Sequence, residues 1–352
     1  MLQVMVVGLG PMGAGCAQAI RDEADLRLVS LFDTDPRKIG KSAIELLGSE
    51  EELEVGRPGG PRVTDDPEQA LAGKPDVAVV TTSSRFDEVA PIARYLLKHG
   101  IAVLSSCEQM AWPWYRHAEL AEQLDAEARA AGLAVLGTGV NPGFAMDALP
   151  VTLASMVRRV SRVRCVRRVN TALRRPQLQR KLGATLSPEK FHQRAEAGEV
   201  GHVGLGESLA LLAAGLGRSV EPGSIDEQLH PVLAETPTAS SLGLITPGSV
   251  AGARHLATWR DTNLVIELEL TMAVGLTDPV DRVKLEGPVQ LCLKIPGSVP
   301  GDSATVATLL NHITTVASAR PGLRTMLDVP PSGCHNRDRP RKAPPADAAG
   351  SA

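Results

Sequence analysis

Three glycines near the start of the chain have the spacing of a dinucleotide-binding loop. In "VVGLGPMGAG", Gly8, Gly10 and Gly13 form the pattern G-x-G-x-x-G, directly after an apolar run and at the start of a helical pattern. The first glycine permits a tight turn, the second lets the backbone approach a pyrophosphate, and the third allows close packing of the helix. Together with Pro11 and Met12, they predict a site for the phosphates of a dinucleotide, in preference to a Gly-rich turn without a ligand.

An acidic residue stands where such a site needs one for the adenosine ribose. Asp33 ends the apolar run "RLVSLFD", 20 residues after Gly13, and would accept hydrogen bonds from the ribose hydroxyls of NAD. Arg37 and Lys38 follow closely, and an arginine suits the 2′-phosphate of NADP. Alternatively, both are solvated charges at the start of a helix. The sequence therefore predicts NADP or NAD as cofactor and does not choose between them.

Hydroxyl side chains should line the same crevice. The stretch "TTSS" contains Thr82, Ser83 and Ser84 and follows the strand pattern "PDVAVV". Their hydroxyls could bond a ribose or a phosphate, and they could also cap the helix that follows.

A single carboxylate, Glu108, follows another predicted strand, in the stretch "SSCEQMAWPW" that holds two of the three tryptophans. Ligands of open parallel sheets bind at the carboxyl ends of the strands. Burial beside Trp112 and Trp114 would raise the pKa of Glu108 toward neutrality, where a carboxyl group exchanges protons well. We therefore predict that Glu108 is a general acid/base beside a nicotinamide ring. The alternative is an acid that only begins a helix, where the helix dipole favours it.

Cys107 is a rival candidate as a nucleophile. A reactive cysteine needs a lowered thiol pKa, and the adjacent carboxylate would raise it instead. A small buried residue is the better interpretation.

The stretch "GTGVNPGFAMD" supplies a second cluster. Asn141 can donate and accept hydrogen bonds, and we count it among the cofactor-binding residues. Phe144, Ala145 and Met146 are predicted to be an apolar lining of the substrate pocket. A turn at a domain hinge would explain the Pro and Gly equally well, but not the Asn and Phe. His202, in "GHVGLGES", either lines the cleft or satisfies local backbone groups.

The basic stretch "RRPQLQRK", residues 174–181, is interpreted as a solvated loop. Since no arginine is recognised beside the Asn141 turn, the sequence favours a substrate without an α-carboxylate.

The hydrophobic patterns predict the elements that position these residues. Up to about residue 140, continuous apolar runs such as "LQVMVVG" alternate with helical patterns, which is typical of a parallel sheet covered on both faces. Beyond Pro150, apolar and polar residues alternate, as in "NLVIELELTM". That alternation is typical of antiparallel strands with one buried face. Apolar helices near 205–216 and 303–318 should pack on this second sheet.

The predicted fold class is α/β, with an N-terminal dinucleotide-binding domain over residues 1–140 and a second α+β domain over 141–310, built on a mostly antiparallel sheet. Residues 311–330 should pack back on the core. Residues 331–352, rich in Pro, Ala and charge, should form a mobile tail.

Composition excludes several classes of function. The 352-residue chain has a formal net charge of −3, which gives no reason to expect nucleic acid or a membrane surface as partner. Its five cysteines are scattered and form no Cys-x-x-Cys pair, so neither a disulfide framework nor a metal site is indicated. An apolar N-terminus without a basic leader favours a cytoplasmic protein.

Several stretches together resemble the 2,4-diaminopentanoate dehydrogenase family and the related NAD(P)-dependent amine dehydrogenases, which share their plan with dihydrodipicolinate reductase. They are "VVGLGPMG", "CEQM", "GTGVNPGFAMD", "RRPQLQRKLG", "GHVGLGES", "GDSATVATLLN" and "PGLRTMLDVP". The His-His pair of dihydrodipicolinate reductases has no counterpart here, so that reaction is not expected.

The resemblance implies a Rossmann domain, a second domain that also makes a homodimer, and Glu108 as the catalytic residue. The implied reaction is NAD(P)-dependent reductive amination of a ketone or aldehyde with ammonia, and its reverse. Another oxidoreductase of this group, or a non-catalytic NAD(P)-sensing protein, remains an alternative.

Overall fold

The computed structural model of the protein describes residues 1–42, 45–46 and 60–334. The predicted mobile tail therefore lies outside the described residues from residue 335 onward.

The first domain is built on a seven-stranded sheet in which every neighbouring pair is parallel. Its central strands are almost wholly buried, as their continuous apolar sequences predict. The spatial order is β15-β6-β5-β4-β1-β2-β3. The strands are β1 (Leu2–Val7), β2 (Leu26–Phe32), β3 (Val63–Thr64), β4 (Val77–Val80), β5 (Ala102–Ser105), β6 (Ala134–Gly137) and β15 (Gly322–Arg324).

Helices cover both faces of this sheet. Helices α1 (Pro11–Asp22) and α9 (Gly301–Ser318) pack on one face, and α3 (Phe86–Lys98) and α4 (Trp114–Ala130) pack on the other. The short helix α2 (Pro67–Leu71) leads into β4. In α3, the buried residues Phe86, Val89, Ala90 and Ala93 recur at the spacing of one helix face.

The second domain contains a six-stranded sheet of order β14-β13-β7-β12-β11-β8. Strands β7 and β12 are parallel and the other neighbours are antiparallel. A separate hairpin joins β9 (Thr238–Ser240) to β10 (Gly243–Ile245). The six strands are β7 (Arg162–Asn170), β8 (Asp226–Leu233), β11 (Val250–Arg260), β12 (Val265–Ala273), β13 (Val280–Glu286) and β14 (Leu291–Pro296). The predicted fold class is confirmed.

One face of the second sheet is buried, as the alternating pattern predicts. Ile266, Leu268 and Leu270 of β12 lie in the core, whereas Glu267 and Glu269 lie on the opposite face, where they pair with arginines of neighbouring strands. The almost fully buried helix α8 (Leu205–Gly215) packs on the buried face. Helices α5 (Ala148–Ala154), α6 (Pro176–Lys181) and α7 (Pro188–Glu196) complete this domain.

The expectation that residues 303–318 pack on the second sheet is wrong. They belong to α9, whose Leu309, Ile313 and Val316 join the core of the first domain beside α1. A periodic apolar stripe shows which side of a helix is buried, but it does not show which sheet buries it. The predicted boundary between residues 310 and 311 falls inside this helix.

Ion pairs connect the two domains at their contact. Arg116 of α4 binds Glu207 of α8 through its Nε atom at 2.8 Å and also pairs with Glu227 of β8. Glu207 is fully buried, and burial raises its pKa to about 7 although Arg116 opposes the shift. Among the helices that the structure describes, none is long and apolar enough to cross a membrane.

Candidate active site

The glycine-rich loop lies against the carboxyl end of β4. Gly8 has a φ of +84°, in the left-handed region that favours glycine. A Cβ atom on Gly13 would stand 1.9 Å from the Gly8 carbonyl oxygen and 2.6 Å from Thr81 Oγ1. The helix can therefore approach the strand this closely only because residue 13 has no side chain.

Gly10 shows that the loop leaves room for a ligand. It precedes the first residue of α1, and apart from its chain neighbours no atom of the described residues lies within 4 Å of the position that a Cβ atom would take. Gly10, Pro11 and Met12 all line the cleft between the two domains. Free amides at a helix N-terminus beside open space suit an anionic diphosphate, so these residues fit a dinucleotide.

Asp33, at the end of β2, is buried and accepts three hydrogen bonds. The donors are the Leu9 amide at 2.6 Å, the Asp35 amide at 2.8 Å and Lys38 Nζ at 2.8 Å. Burial alone would raise the pKa of Asp33, but the bonds from Lys38 and the two amides outweigh it and lower the pKa. Arg37 instead binds Asp35 and is exposed. Neither Asp33 nor Arg37 lines the cleft itself.

The hydroxyl residues after β4 lie where the sequence predicts them. Thr82, Ser83 and Ser84 line the same cleft as the glycine loop. Thr81 Oγ1 donates to the Gly8 carbonyl at 2.6 Å, which fixes the two loops together. Ser83 Oγ accepts the amide of Arg85, the residue before α3, but α3 has no side-chain cap, so the alternative capping role is not seen for these hydroxyls.

Glu108 reaches the cleft from the end of β5. It begins the short 3₁₀ helix Glu108–Ala111, is half-buried and lines the cleft. Within residues 1–42, 45–46 and 60–334, no hydrogen bond or ion pair engages its carboxylate. Gly204, with φ +101°, lies against it: a Cβ atom there would stand 2.9 Å from Glu108 Cβ and 2.5 Å from Pro142 Cγ.

Trp112 and Trp114, beside which burial of Glu108 was predicted, pack into two different cores. Their rings contact each other, with centroids 5.3 Å apart, but Trp112 packs against the core of the second domain and Trp114 against that of the first. Neither lines the cleft. Cys107 is buried, and burial raises its thiol pKa to about 12, so it is not a candidate nucleophile.

The turn after β6 brings Asn141 to the cleft. Asn141 is 9 % exposed, and in the described part of the chain neither Oδ1 nor Nδ2 has a hydrogen-bond partner. Buried polar atoms without a partner are uncommon, and here they indicate a ligand. The turn is held by the fully buried Asp147, which accepts the Gly143 amide at 2.9 Å and the Ser208 hydroxyl of α8 at 2.7 Å.

The three residues predicted to line the substrate pocket lie elsewhere. Phe144 is 42 % exposed, and Ala145 and Met146 are buried, the latter in the core of the second domain. None of them lines the cleft.

The interpretation of residues 174–181 as a solvated loop is wrong. Pro176–Lys181 is helix α6, and Arg174, Arg175 and Lys181 line the cleft opposite the glycine loop. Arg174 pairs with Asp302 of α9, and Lys181 Nζ donates to Ser84 Oγ at 3.4 Å. Sequence reasoning missed these cations because a basic helix on a cleft wall has the same composition as one facing solvent.

His202 lines the cleft, and its Nδ1 atom is buried without a partner in the described residues. Burial, together with the nearby charges of Lys181, His255 and Arg167, lowers its pKa to about 3. It is therefore a neutral imidazole at physiological pH and can donate or accept a hydrogen bond, but it carries no charge.

The residues that line the cleft between the two domains enclose a cavity of about 300 Å³. One wall comes from the glycine loop and the ends of β4, β5 and β6. The other comes from β7, α6, β12 and the start of α9. A cleft at the carboxyl ends of parallel strands, facing a second domain, is where open α/β proteins bind their ligands.

The amino-acid sequence is similar to those of known dehydrogenases. Residues 144–342 match the model of the 2,4-diaminopentanoate dehydrogenase C-terminal domain. The chain is 29 % identical to the 2,4-diaminopentanoate dehydrogenase of Acetoanaerobium sticklandii, over 94 % of this chain and 93 % of that protein.

The fold is also similar to those of solved dehydrogenase and reductase structures. The amine dehydrogenase of Mycobacterium smegmatis superposes with a TM-score of 0.83 at 25 % identity, covering 95 % of this chain and 97 % of that one. A dihydrodipicolinate reductase from Paenisporosarcina shares the fold at 15 % identity and a TM-score of 0.51, over 91 % of this chain and 96 % of that one.

The resemblance inferred from the motifs is confirmed, because the family model covers more than half of the chain. The protein is an oxidoreductase that acts on amines, and it belongs to the 2,4-diaminopentanoate dehydrogenase family.

Proposed function

We propose that the protein interconverts a ketone or aldehyde plus ammonia with an amine, using NAD or NADP, and that Glu108 is the general acid/base. One observation carries this proposal: a carboxylate without a partner in the described residues shares a cleft with a glycine loop that has room for a diphosphate. The related proteins named amine dehydrogenase and 2,4-diaminopentanoate dehydrogenase support the reaction type.

The residues that would hold the cofactor follow from the cleft. Gly10, Pro11 and Met12 would bind the diphosphate, and Thr82, Ser83 and Ser84 the adjoining ribose and phosphate groups. Asn141 offers a donor and an acceptor side by side, which matches the carboxamide of nicotinamide. When bound, the nicotinamide supplies or accepts the hydride.

Glu108 would manage the protons of the reaction. Its carboxylate accepts a proton from ammonium, so that neutral ammonia can attack the carbonyl carbon. The resulting carboxyl group then protonates the departing hydroxyl of the carbinolamine. Once ionised again, the carboxylate stabilises the positive charge of the iminium, an interaction that grows as the charge develops.

The cations of the cleft favour a substrate that carries a carboxylate. Among the described residues, the guanidinium group of Arg175 has no hydrogen-bond or ion-pair partner, and Lys181 Nζ binds only the neutral Ser84 hydroxyl. A guanidinium group suits a carboxylate geometrically. The relative from Acetoanaerobium sticklandii is named for a diamino carboxylate. The sequence disfavoured only an α-carboxylate and did not place residues 174–181 at the cleft, so this proposal adds a carboxylate at another position of the substrate.

We further propose that the protein works as a cytoplasmic homodimer, as the family resemblance implies. The outer face of the second sheet, where paired charges such as Arg162–Glu267 are partly exposed, is the face that we assign to the contact between the two copies.

The test is the variant Glu108→Gln, assayed as NAD(P)H oxidation with cyclohexanone in the presence and absence of ammonium. We expect ammonium-dependent turnover in the unaltered protein and a loss of about a hundredfold or more in the variant. Affinity for NAD(P)H, measured by fluorescence titration, should be unchanged. Glu119→Gln, on the exposed side of α4, is the matched control and should keep full turnover.

The outcome also separates the alternatives. Turnover that does not need ammonium would indicate an oxidoreductase of hydroxyl groups. Tight cofactor binding without any turnover would indicate a sensing protein. Full activity of Glu108→Gln would refute the assigned role of this residue.

A further inference from the structure

We propose that Lys38 allows the adenosine site to accept a 2′-phosphate by neutralising Asp33, so that Lys38, and not Arg37, determines the affinity for NADP. This inference rests on the nicotinamide-cofactor part of the proposed function and does not depend on the role of Glu108.

Asp33 keeps few hydrogen-bond acceptor positions for a ribose. A carboxylate has about four positions for hydrogen-bond donors. The Leu9 amide and Lys38 Nζ occupy Oδ2, and the Asp35 amide occupies Oδ1. About one position remains, whereas a ribose binding through both hydroxyls would use two. In this conformation, Asp33 is therefore poorly suited to select the unphosphorylated ribose.

The negative charge of Asp33 must be compensated before a 2′-phosphate can bind beside it. A 2′-phosphate carries about −1.5 to −2 charges, as phosphate monoesters do, and an uncompensated Asp33 would repel it. Lys38 Nζ lies 2.8 Å from Asp33 Oδ2, and its side chain is only 24 % exposed. Because the pair is shielded from water, the compensation acts with little screening.

Lys38 and Arg37 differ in how many hydrogen-bond donors they leave free for a phosphate. Arg37 makes a two-bond contact with Asp35, with Nε to Oδ1 at 2.9 Å and Nη2 to Oδ2 at 2.8 Å, and its side chain is 88 % exposed. Among the described residues, Lys38 Nζ makes one hydrogen bond, to Asp33, and approaches Asp35 Oδ2 only to 3.8 Å. An ammonium group has three donors, so Lys38 keeps two for a phosphate, whereas Arg37 must first release Asp35.

The experiment compares two nucleotides that differ only in the 2′-phosphate, adenosine 5′-monophosphate and adenosine 2′,5′-bisphosphate. Their dissociation constants are measured by calorimetry on the full chain, unaltered and as Lys38→Met, Arg37→Met and Lys38→Arg. We expect Lys38→Met to weaken the bisphosphate by about tenfold or more and the monophosphate by less than about threefold. Lys38→Arg should retain most of the affinity. Lys41→Met, which removes an exposed charge nearby, controls for the change in net charge and should leave both constants within about twofold.

Two results would overturn the inference: equal weakening of both nucleotides in Lys38→Met, or a larger loss of bisphosphate affinity in Arg37→Met. Neither would affect the amine chemistry, which the ammonium-dependent assay tests separately. If the unaltered protein bound neither nucleotide, the inference and the cofactor assignment would fail together, whatever the result for Glu108.

Discussion

At the scale of residues, the cations of the cleft differ in what they already bind. Arg167 pairs with Asp281 and donates to the Val299 carbonyl, and Arg174 pairs with Asp302. Arg175 lines the same cleft without such a partner among the residues that the structure describes. Its charge is therefore available to a substrate, whereas the first two hold parts of the second domain and α9 together.

This difference predicts a preference that a matched pair of ketones can measure. The keto acid 4-oxopentanoate and the ketone pentan-2-one have the same chain length and differ in the terminal carboxylate. We expect kcat/KM to be about tenfold or more higher for the keto acid, and Arg175→Met to remove most of that advantage. Arg180→Met, an exposed arginine on the same helix, should preserve it.

Equal kcat/KM values for the two ketones in the unaltered protein would contradict the proposed carboxylate subsite. So would a loss of the preference in Arg180→Met as large as in Arg175→Met.

Some of these residues were predictable from the sequence, and others were not. Gly8 and Gly13 were, because a left-handed φ and a close helix approach each require glycine, and Gly10 was, because the motif needs open space beside the loop, which the structure shows. Glu108 and Asn141 could be placed at one sheet edge because parallel strands end together. Arg175 could not be placed, since the pattern of an amphipathic surface helix does not show what faces its polar side.

At the scale of elements, the N-terminus of α8 contacts both sides of the proposed reaction centre, Glu108 and the Asn141 turn. Gly204 precedes this helix with φ +101° and packs against Pro142 and Glu108, and Ser208 one turn later binds Asp147 under the Asn141 turn. A displacement of α8 would therefore move Glu108 and the Asn141 turn together.

The variant Gly204→Ala tests this. An added Cβ atom would stand 2.5 Å from Pro142 Cγ, so something must shift, and we expect turnover to fall by about tenfold or more. The left-handed φ adds a loss of about 1 kcal/mol in stability. The control is Gly217→Ala, just beyond the other end of α8, with φ +73° and no protein atom within 4 Å of the added Cβ.

The control should lose similar stability, read as the thermal midpoint, and keep its turnover. If the two variants had the same kcat, the packing of Gly204 would have no role in positioning the site.

Element prediction succeeded for the strands and for most helices because burial leaves a periodic pattern in the sequence. The continuous run in β4 and the alternation in β12 each identified the number of buried faces. Where an element packs is a different question, and α9 shows the difference. Its partners are α1 and the first sheet, which are distant in sequence, so no local pattern could assign them.

At the scale of the whole molecule, the domain contact contains an acid that burial keeps partly protonated. Glu207 is fully buried between α8 and α4, and its pKa is raised to about 7 from 4.5. Its Oε2 atom has no hydrogen-bond partner in the described residues. The folded state therefore holds a proton that the unfolded chain releases at lower pH.

This linkage predicts how stability depends on pH. A raised acid pKa contributes stability below the unfolded value, and that contribution disappears as pH rises through the folded value. Between about pH 4.5 and 8, the protein should lose about 3 kcal/mol relative to Glu207→Gln, which cannot ionise. The measurement is the difference in thermal midpoint between the two proteins across that range.

Glu119→Gln serves as the control, because an exposed acid should give a difference that does not change with pH. If the difference in thermal midpoint between the unaltered protein and Glu207→Gln also stayed constant with pH, Glu207 would be ionised in the folded protein across the whole range.

The return of α9 and β15 to the first sheet makes the second domain an insertion, tethered to its neighbour at both ends. The chain leaves the first domain through residues 138–147 and re-enters it at 299–302, and both crossings border the cleft. A chain cut before residue 301 would therefore lose both the helix that packs beside α1 and the last strand of the first sheet.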